Sequence, residues 1–307
     1  MTRLVREAIG SAFPSVSVAS IERPAEGNRK ETAFVTLADG RRVVVQLSDD
    51  PVALRTETRL TREVADRTTV PVVNVVADGV LEGRGYRVTE RVEGENLHER
   101  FVSLSDGARR RIAGRFGEVL GELHDAFEFE RFGPIVAADD GLRATGPAVF
   151  GAWLDRYTEQ GVEALPDAVA DLEGPIREAV GSSPARSPTP RLFPWDLRPG
   201  NAVVDGGEIA AFLDWGEPLS GSAGVALAKL DHLVADWYLE DGSELRTAIR
   251  DGYREARPIP DIGRGERVAA IVEAVVDSDG AVTRPGYPER TGGEAVAFHR
   301  ERLVSAL

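Results

Sequence analysis

The chain has 307 residues, 42% of them hydrophobic, which is enough to bury one large core or two smaller ones, and it carries a formal net charge of −14. That charge repels phosphate backbones and argues against nucleic acid as a partner, and the absence of cysteine excludes disulfides and thiolate metal sites. No apolar run has the length of a membrane span and MTRLVREAIG lacks the apolar core of a secretory signal, so a cytoplasmic location without membrane attachment is expected.

Leu4–Phe13 has the spacing of a short amphipathic helix. Val16–Ile21, Thr32–Leu37 and Arg42–Leu47 read as strands, the last two joined by an Asp39-Gly40 turn. Arg42, Val44 and Gln46 then share one face of their strand by the two-residue period. A loop, Pro24–Glu31, separates the first two strands and contains Lys30, one of two lysines in the chain, the other being Lys229. Val52–Arg67 is predicted helical, entered at Pro51 and ended at Val70-Pro71. Val72–Ala77 and Gly85–Glu90 follow as strands joined by Asp78-Gly79 and a glycine-rich turn.

From Ser105 or Asp106, either of which can cap it, a helix carries Ile112, Phe116, Val119, Leu120 and Leu123 at three and four spacing. Helices are predicted over Val149–Gln160 and Val162–Val180, with Trp153 and Tyr157 on one face as core residues. A breaker-rich loop, Gly181–Pro190, precedes Arg191–Gly216, and helices over Gly224–Glu240, Ser243–Ala256, Ile262–Asp277 and Thr291–Ala306 complete the chain.

Arg191–Gly216, RLFPWDLRPGNAVVDGGEIAAFLDWG, holds two apolar runs joined by Asp205-Gly206-Gly207, a tight hairpin turn. Folding back on each other, the runs bring Asp196, Asn201 and Asp214 to one end. Two carboxylates and an amide oxygen there suit a magnesium-nucleotide site.

Asp196-x-x-x-x-Asn201 followed by Asp214-Trp215-Gly216 resembles the protein-kinase-like fold, and within it the aminoglycoside phosphotransferase and choline kinase family. The resemblance implies an α+β, bilobal fold. Its small antiparallel-sheet lobe with one main helix spans 1–92, and a helical lobe spanning 93–307 contains the catalytic loop 191–216. It implies an ATP- and Mg²⁺-dependent transfer of the γ-phosphate to a hydroxyl of a small acceptor of the aminoglycoside, choline or sugar kind, cationic acceptors included. Asp196 is the implied base, and Asn201 and Asp214 are the implied Mg²⁺ ligands. Arg198 either reaches the transferring phosphoryl group or pairs with a carboxylate to hold the loop.

Val44 falls in the implied adenine position, and Glu90, Arg91 and Val92 in the segment whose backbone meets the adenine edge. Glu57, with Glu63 second, is the implied helix glutamate. His124 of Leu123-His124 is the implied core histidine, bonded to the catalytic loop. Asp231, Asp236, Trp237, Tyr238 and Glu240 fall on the helix where this family often binds its acceptor, and a carboxylate-aromatic mixture suits an amine.

Three positions depart from the family pattern: Gln46 replaces the strand lysine, Pro194-Trp195 replaces His-Gly, and Ala226 replaces a bracing aspartate. We expect Lys30, with Arg29 beside it, to supply the missing charge from the loop; the alternative is an ordinary solvated lysine. The departures also support a second reading, a pseudokinase-like binding protein. The acidic, lysine-poor composition resembles proteins of salt-loving organisms, haloarchaeal members of the family included.

Overall fold

The structure, a computed structural model, describes residues 2–24, 30–278 and 292–307. Arg29 and most of the loop expected to cover the phosphates lie outside the described residues. The elements in order are α1 (Thr2–Ala12), β1 (Val18–Glu22), β2 (Glu31–Leu37), β3 (Arg42–Ser48), α2 (Pro51–Arg67), β4 (Val75–Leu81) and β5 (Arg84–Glu90). Then come β6 (Glu95–Asn96), α3 (Leu97–Arg100), α4 (Asp106–Ala126), β7 (Gly133–Ala138), β8 (Gly141–Ala144), α5 (Phe150–Glu163) and α6 (Glu173–Gly181). The chain closes with β9 (Arg191–Phe193), β10 (Ala202–Asp205), β11 (Glu208–Phe212), β12 (Leu219–Gly221), α7 (Ala223–Leu230), α8 (Ser243–Ala256), α9 (Arg264–Ser278) and α10 (Gly293–Ala306).

These residues form two compact units. Where a single division at 92/93 is expected from the sequence, the first unit takes in Met1–Gly94, Ile135–Arg143 and Val203–Pro218, and the second holds the remainder. In the first unit an antiparallel sheet runs in the order β1-β2-β3-β5-β4. Val43, Val45 and Leu47 of β3 point into a core closed by Leu4, Val5, Ala8 and Ile9 of α1. Val44 and Gln46 occupy the opposite, half-buried face, as the two-residue period requires.

Helix α2 starts at Asp50, whose side chain accepts from the N–H groups of Val52 and Ala53, with Pro51 in the first turn. Its buried stripe is Leu54, Glu57, Leu60, Thr61 and Val64, so one carboxylate sits in an otherwise uncharged seam.

The expected glycine-rich turn between β4 and β5 is Glu82-Gly83, with φ of 51° and 83°, whereas Asp78-Gly79, expected to share in the connection, lie inside β4. Gly79 is there for a packing reason. It faces Tyr86 across the strands, and a Cβ would come within 2.8 Å of the tyrosine ring. The hairpin of β10 and β11 turns as expected: Gly206 and Gly207 hold φ of 57° and 87°, the left-handed pair of a tight two-residue turn.

In the second unit α4 and α8 touch backbone to backbone. A Cβ at Gly117 would overlap the Ile249 carbonyl, and one at Gly252 would overlap that of Gly114. The helix expected over Val162–Val180 is instead broken. α5 ends at Glu163, Pro166 follows, and a 3₁₀ segment over Asp167–Leu172 leads into α6, because proline has no N–H to give and restrains the residue before it. The helix after Ser222 is α7 only to Leu230 and then widens into a π-helical stretch, Asp231–Asp236.

Candidate active site

Four ionisable side chains of the first unit meet at one point. Glu57 is 2% exposed, and its two oxygens are taken by different cations: Oε1 by Arg87 Nη2 at 2.8 Å and Oε2 by Lys30 Nζ at 2.5 Å. Lys30 also donates to Asp214 Oδ1 at 3.2 Å. Gln46, opposite Arg87 in the β3–β5 register, accepts from Arg87 Nη2 at 2.5 Å and Nε at 3.2 Å. Lys30, expected to bring charge to the phosphates, here sets its ammonium against Glu57 and Asp214, whereas Gln46 meets Arg87 and not Glu57. Glu63 is taken by Arg59 and Arg67 on the same helix.

Arg87 was not singled out from the sequence. The signal was an arginine at a buried register position directly opposite Gln46.

Asp214 has φ of +53°, left-handed backbone that aspartate tolerates better than most side chains. Gly216 donates to its Oδ1 at 3.3 Å, and a Cβ at Gly216 would press on Asp214 and Glu57. Burial alone would raise the Asp214 carboxyl, but the Lys30 ammonium, helped by the Gly216 N–H and by Arg87, holds it below the usual carboxylate range. It is thus ionised at neutral pH and remains half-exposed, with Oδ2 unpartnered among the described residues.

Of the three residues read as adenine contacts, Glu90 and Arg91 spend their N–H groups inside the sheet, on Asn74 and Arg42 carbonyls at 3.0 Å each. Their donors are thereby removed from the expected role, and the Val92 N–H has no partner among the described residues.

In the second unit, β9 pairs with β12 and delivers the chain to Asp196. Arg198 meets that carboxylate twice, and Asn201 Nδ2 donates to Asp196 Oδ2 at 2.8 Å and to its carbonyl at 3.0 Å. A 3₁₀ turn over Pro199–Asn201 sets this geometry, and Asn96 Nδ2 holds it by donating to the Gly200 carbonyl at 3.0 Å. With its NH₂ spent on Asp196, Asn201 keeps its amide oxygen for another ligand. Taken singly, the Asn201 amide in the second unit and the Asp214 carboxylate in the first each offer a hard oxygen of the kind Mg²⁺ takes. Clusters of three or more His, Cys, Asp or Glu able to hold a metal are absent among the described residues.

The replacements at Pro194-Trp195 and Ala226 adjoin one another. Ala226 and Lys229 of α7 line a small cavity with Phe193, Pro194 and Trp195, and Lys229, 2% exposed, places Nζ 3.2 Å from the centre of the Trp195 ring.

His124 is a fully buried core residue, as expected, its Nδ1 meeting Tyr253 Oη at 2.8 Å; it is tied to the 191–216 loop through its backbone carbonyl, which accepts from Arg191, with the Leu192 backbone acting on its ring. Burial, and secondarily Arg257 and Arg191, push its pKa down to about 3.

The residues expected to face an acceptor are largely committed. Asp231 is bound by Arg250 at 2.8 Å, Asp236 by Arg246, Tyr238 Oη by His98 at 2.6 Å, and Trp237 stacks on His299. Glu240 stays exposed. Trp153 and Tyr157 stack in the core as expected.

A family model described as a phosphotransferase enzyme family matches residues 20–266. The chain belongs to that family. Among solved structures it is similar to aminoglycoside phosphotransferase APH(4)-Ia, with 16% identity, 100% of this chain and 98% of that chain covered, and a TM-score of 0.68. A putative aminoglycoside phosphotransferase from Ralstonia eutropha is similar at 15% identity, 100% and 96% coverage and a TM-score of 0.67. The macrolide 2′-phosphotransferase MphH from Brachybacterium faecium is similar at 18% identity, 99% and 97% coverage and a TM-score of 0.59. Comparison with curated proteins finds no match. The fold is accordingly the α+β, protein-kinase-like one, with an antiparallel-sheet part and a helical part.

Proposed function

We propose that this phosphotransferase-family chain moves the γ-phosphate of ATP to a hydroxyl of a small molecule, with Mg²⁺. The observation that carries the reading is Lys30 Nζ set between Glu57 and Asp214. A strand position lacking its lysine is compatible with catalysis when another residue brings an ammonium to the same glutamate and metal-ligand candidate. In this reading Asp196 orients and deprotonates the acceptor hydroxyl, and Asn201 and Asp214 hold the ion. Lys30 meets the phosphates, Val44 lies against the adenine, and the Val92 N–H meets its edge. Bound magnesium would neutralise charge on the β- and γ-phosphates.

An aminoglycoside phosphotransferase of this fold has been crystallised with AMP-PNP and hygromycin B. A hydroxylated acceptor follows for this chain by analogy of fold. With Asp231 and Asp236 both paired to arginine, a cationic acceptor would have to find other carboxylates, Glu240 among them. A cytoplasmic location and adaptation to salt remain part of the reading. Among the described residues, no helix is long and apolar enough to cross a membrane.

One observation favours the competing reading of a nucleotide-binding protein without transfer: Arg198 occupies both oxygens of Asp196.

The deciding experiment is the thermal midpoint with and without Mg-ATP in high-salt buffer, on the natural chain and on Asp214→Ala, followed by ³²P transfer to hydroxylated amines, sugars and macrolides. A magnesium-dependent rise lost in Asp214→Ala, with label on an acceptor, is expected. No rise at saturating nucleotide sinks the reading, and a rise without transfer to any acceptor selects the binding protein.

A further inference from the structure

A carboxylate as buried as Glu57 needs a cation at all times, because an unpaired charge there would be too costly to keep. Two cations serve it, one from within β5 and one from just before β2, and they are not equivalent.

Arg87 stands mid-strand in β5, 4% exposed, its guanidinium fixed on Glu57 Oε1 and on Gln46. It cannot leave without opening the sheet. Lys30 stands just before β2 on a flexible stem, and its side chain is 18% exposed. Its second contact is with a half-exposed carboxylate. If Lys30 turned away, Glu57 would still be compensated. Gln46 has a place in the same arrangement, since its neutral amide oxygen accepts two N–H groups of Arg87, where a lysine would set two cations face to face across the strands.

We propose that the cation serving Glu57 is divided: Arg87 is a fixed positioning residue that holds Glu57 and α2, and its presence leaves Lys30 free to move onto a nucleotide phosphate. The inference rests on the phosphotransferase reading for its ligand, an anionic phosphate, but not for the Arg87–Glu57 half.

The test uses the full chain, the ligand-free thermal midpoint and the Kd for Mg-ATP measured well below that midpoint. Lys30→Met is expected to shift the midpoint by no more than about 2 °C and to raise Kd at least tenfold, whereas Arg87→Met lowers the midpoint by roughly 10 °C. In the folded Arg87→Met protein Kd also rises about tenfold, because Lys30 is then the only cation left for Glu57 and is held there. Lys30→Met with Arg87→Met together binds no more weakly than Lys30→Met alone, and Arg87→Lys restores much of the affinity.

Should Arg87→Met not fold, the exchange of Gln46→Lys with Arg87→Gln is expected to recover a midpoint that Gln46→Lys alone loses. Equal destabilisation by Lys30→Met and Arg87→Met, or an unchanged Kd in folded Arg87→Met, overturns the division. An exchange variant no more stable than Gln46→Lys alone does the same. If the natural chain binds no Mg-nucleotide, the phosphotransferase reading fails, while the ligand-free midpoints still decide the place of Arg87.

Discussion

Arg198 grips Asp196 at both carboxylate oxygens, Nε 2.7 Å from Oδ1 and Nη2 3.1 Å from Oδ2, across only two residues of chain. Of the two roles open to it from sequence, holding the loop is the one this contact serves. Nη2 donates to Oδ2 while Nε lies in ion-pair contact with Oδ1, a two-sided placement that the guanidinium allows and the single ammonium of lysine does not. Under the proposed phosphate transfer, Arg198→Lys and Arg198→Ala should therefore reduce ATP turnover by similar factors, on the order of tenfold. A lysine variant that keeps nearly all the turnover would mean that charge near the phosphates, and not the grip, is what Arg198 supplies.

His124 is held neutral. With its pKa pushed down to about 3 in the fold and ordinary in the unfolded chain, the unfolded state binds the extra proton between these values. Stability must then fall as pH drops through that interval, by roughly 1.4 kcal/mol per pH unit below about 6.5. Urea unfolding of the natural chain and His124→Gln at several pH values measures it as the difference between the two: on acidification the natural chain should lose more stability than the variant by about that amount.

Asp231 works in the opposite direction. Burial, only partly offset by Arg250, raises its carboxyl to about 6, so the folded state holds the proton more tightly. From this group stability is greatest below about 4 and falls as pH rises to about 6, by roughly 3 kcal/mol in all. Between those limits the two groups nearly cancel. Relative to the natural chain, Asp231→Asn should gain a slope rising with pH there and His124→Gln a slope falling with it. Parallel slopes in all three proteins would contradict the assignment.

The contact of α4 with α8 predicts a contrast among glycines. Gly117→Ala and Gly252→Ala drive a methyl group into a carbonyl and should destabilise by about 2–3 kcal/mol or more. Gly107→Ala, in the first turn of α4 with open space around its Cβ, should stabilise by up to about 1 kcal/mol. Denaturant midpoints decide it, and equal effects at 107 and 117 would mean that the helices do not meet as described.

Local structure was legible wherever neighbouring residues decide it. The entry of α2 at Pro51, the cap at Ser105, the two-glycine turn after β10 and the bounds of α8 follow from side chains within a few positions of the backbone they serve. The kinase-loop spacing of Asp196, Asn201 and Asp214 pointed to the family in the same way. Asp78-Gly79 has turn composition and yet lies in a strand, because what selects the glycine is Tyr86 on the neighbouring strand.

The sequence by itself determined the order and kind of most elements, since capping, turn chemistry and apolar period act over one or two turns of chain. Which charge meets which was decided only by tertiary structure. Glu57 takes its cations from residues 27 positions before it and 30 after it, and Asp231 is neutralised by an arginine 19 positions on. Such pairing depends on strand register and on burial, which raises the cost of an uncompensated charge, and neither can be read one residue at a time.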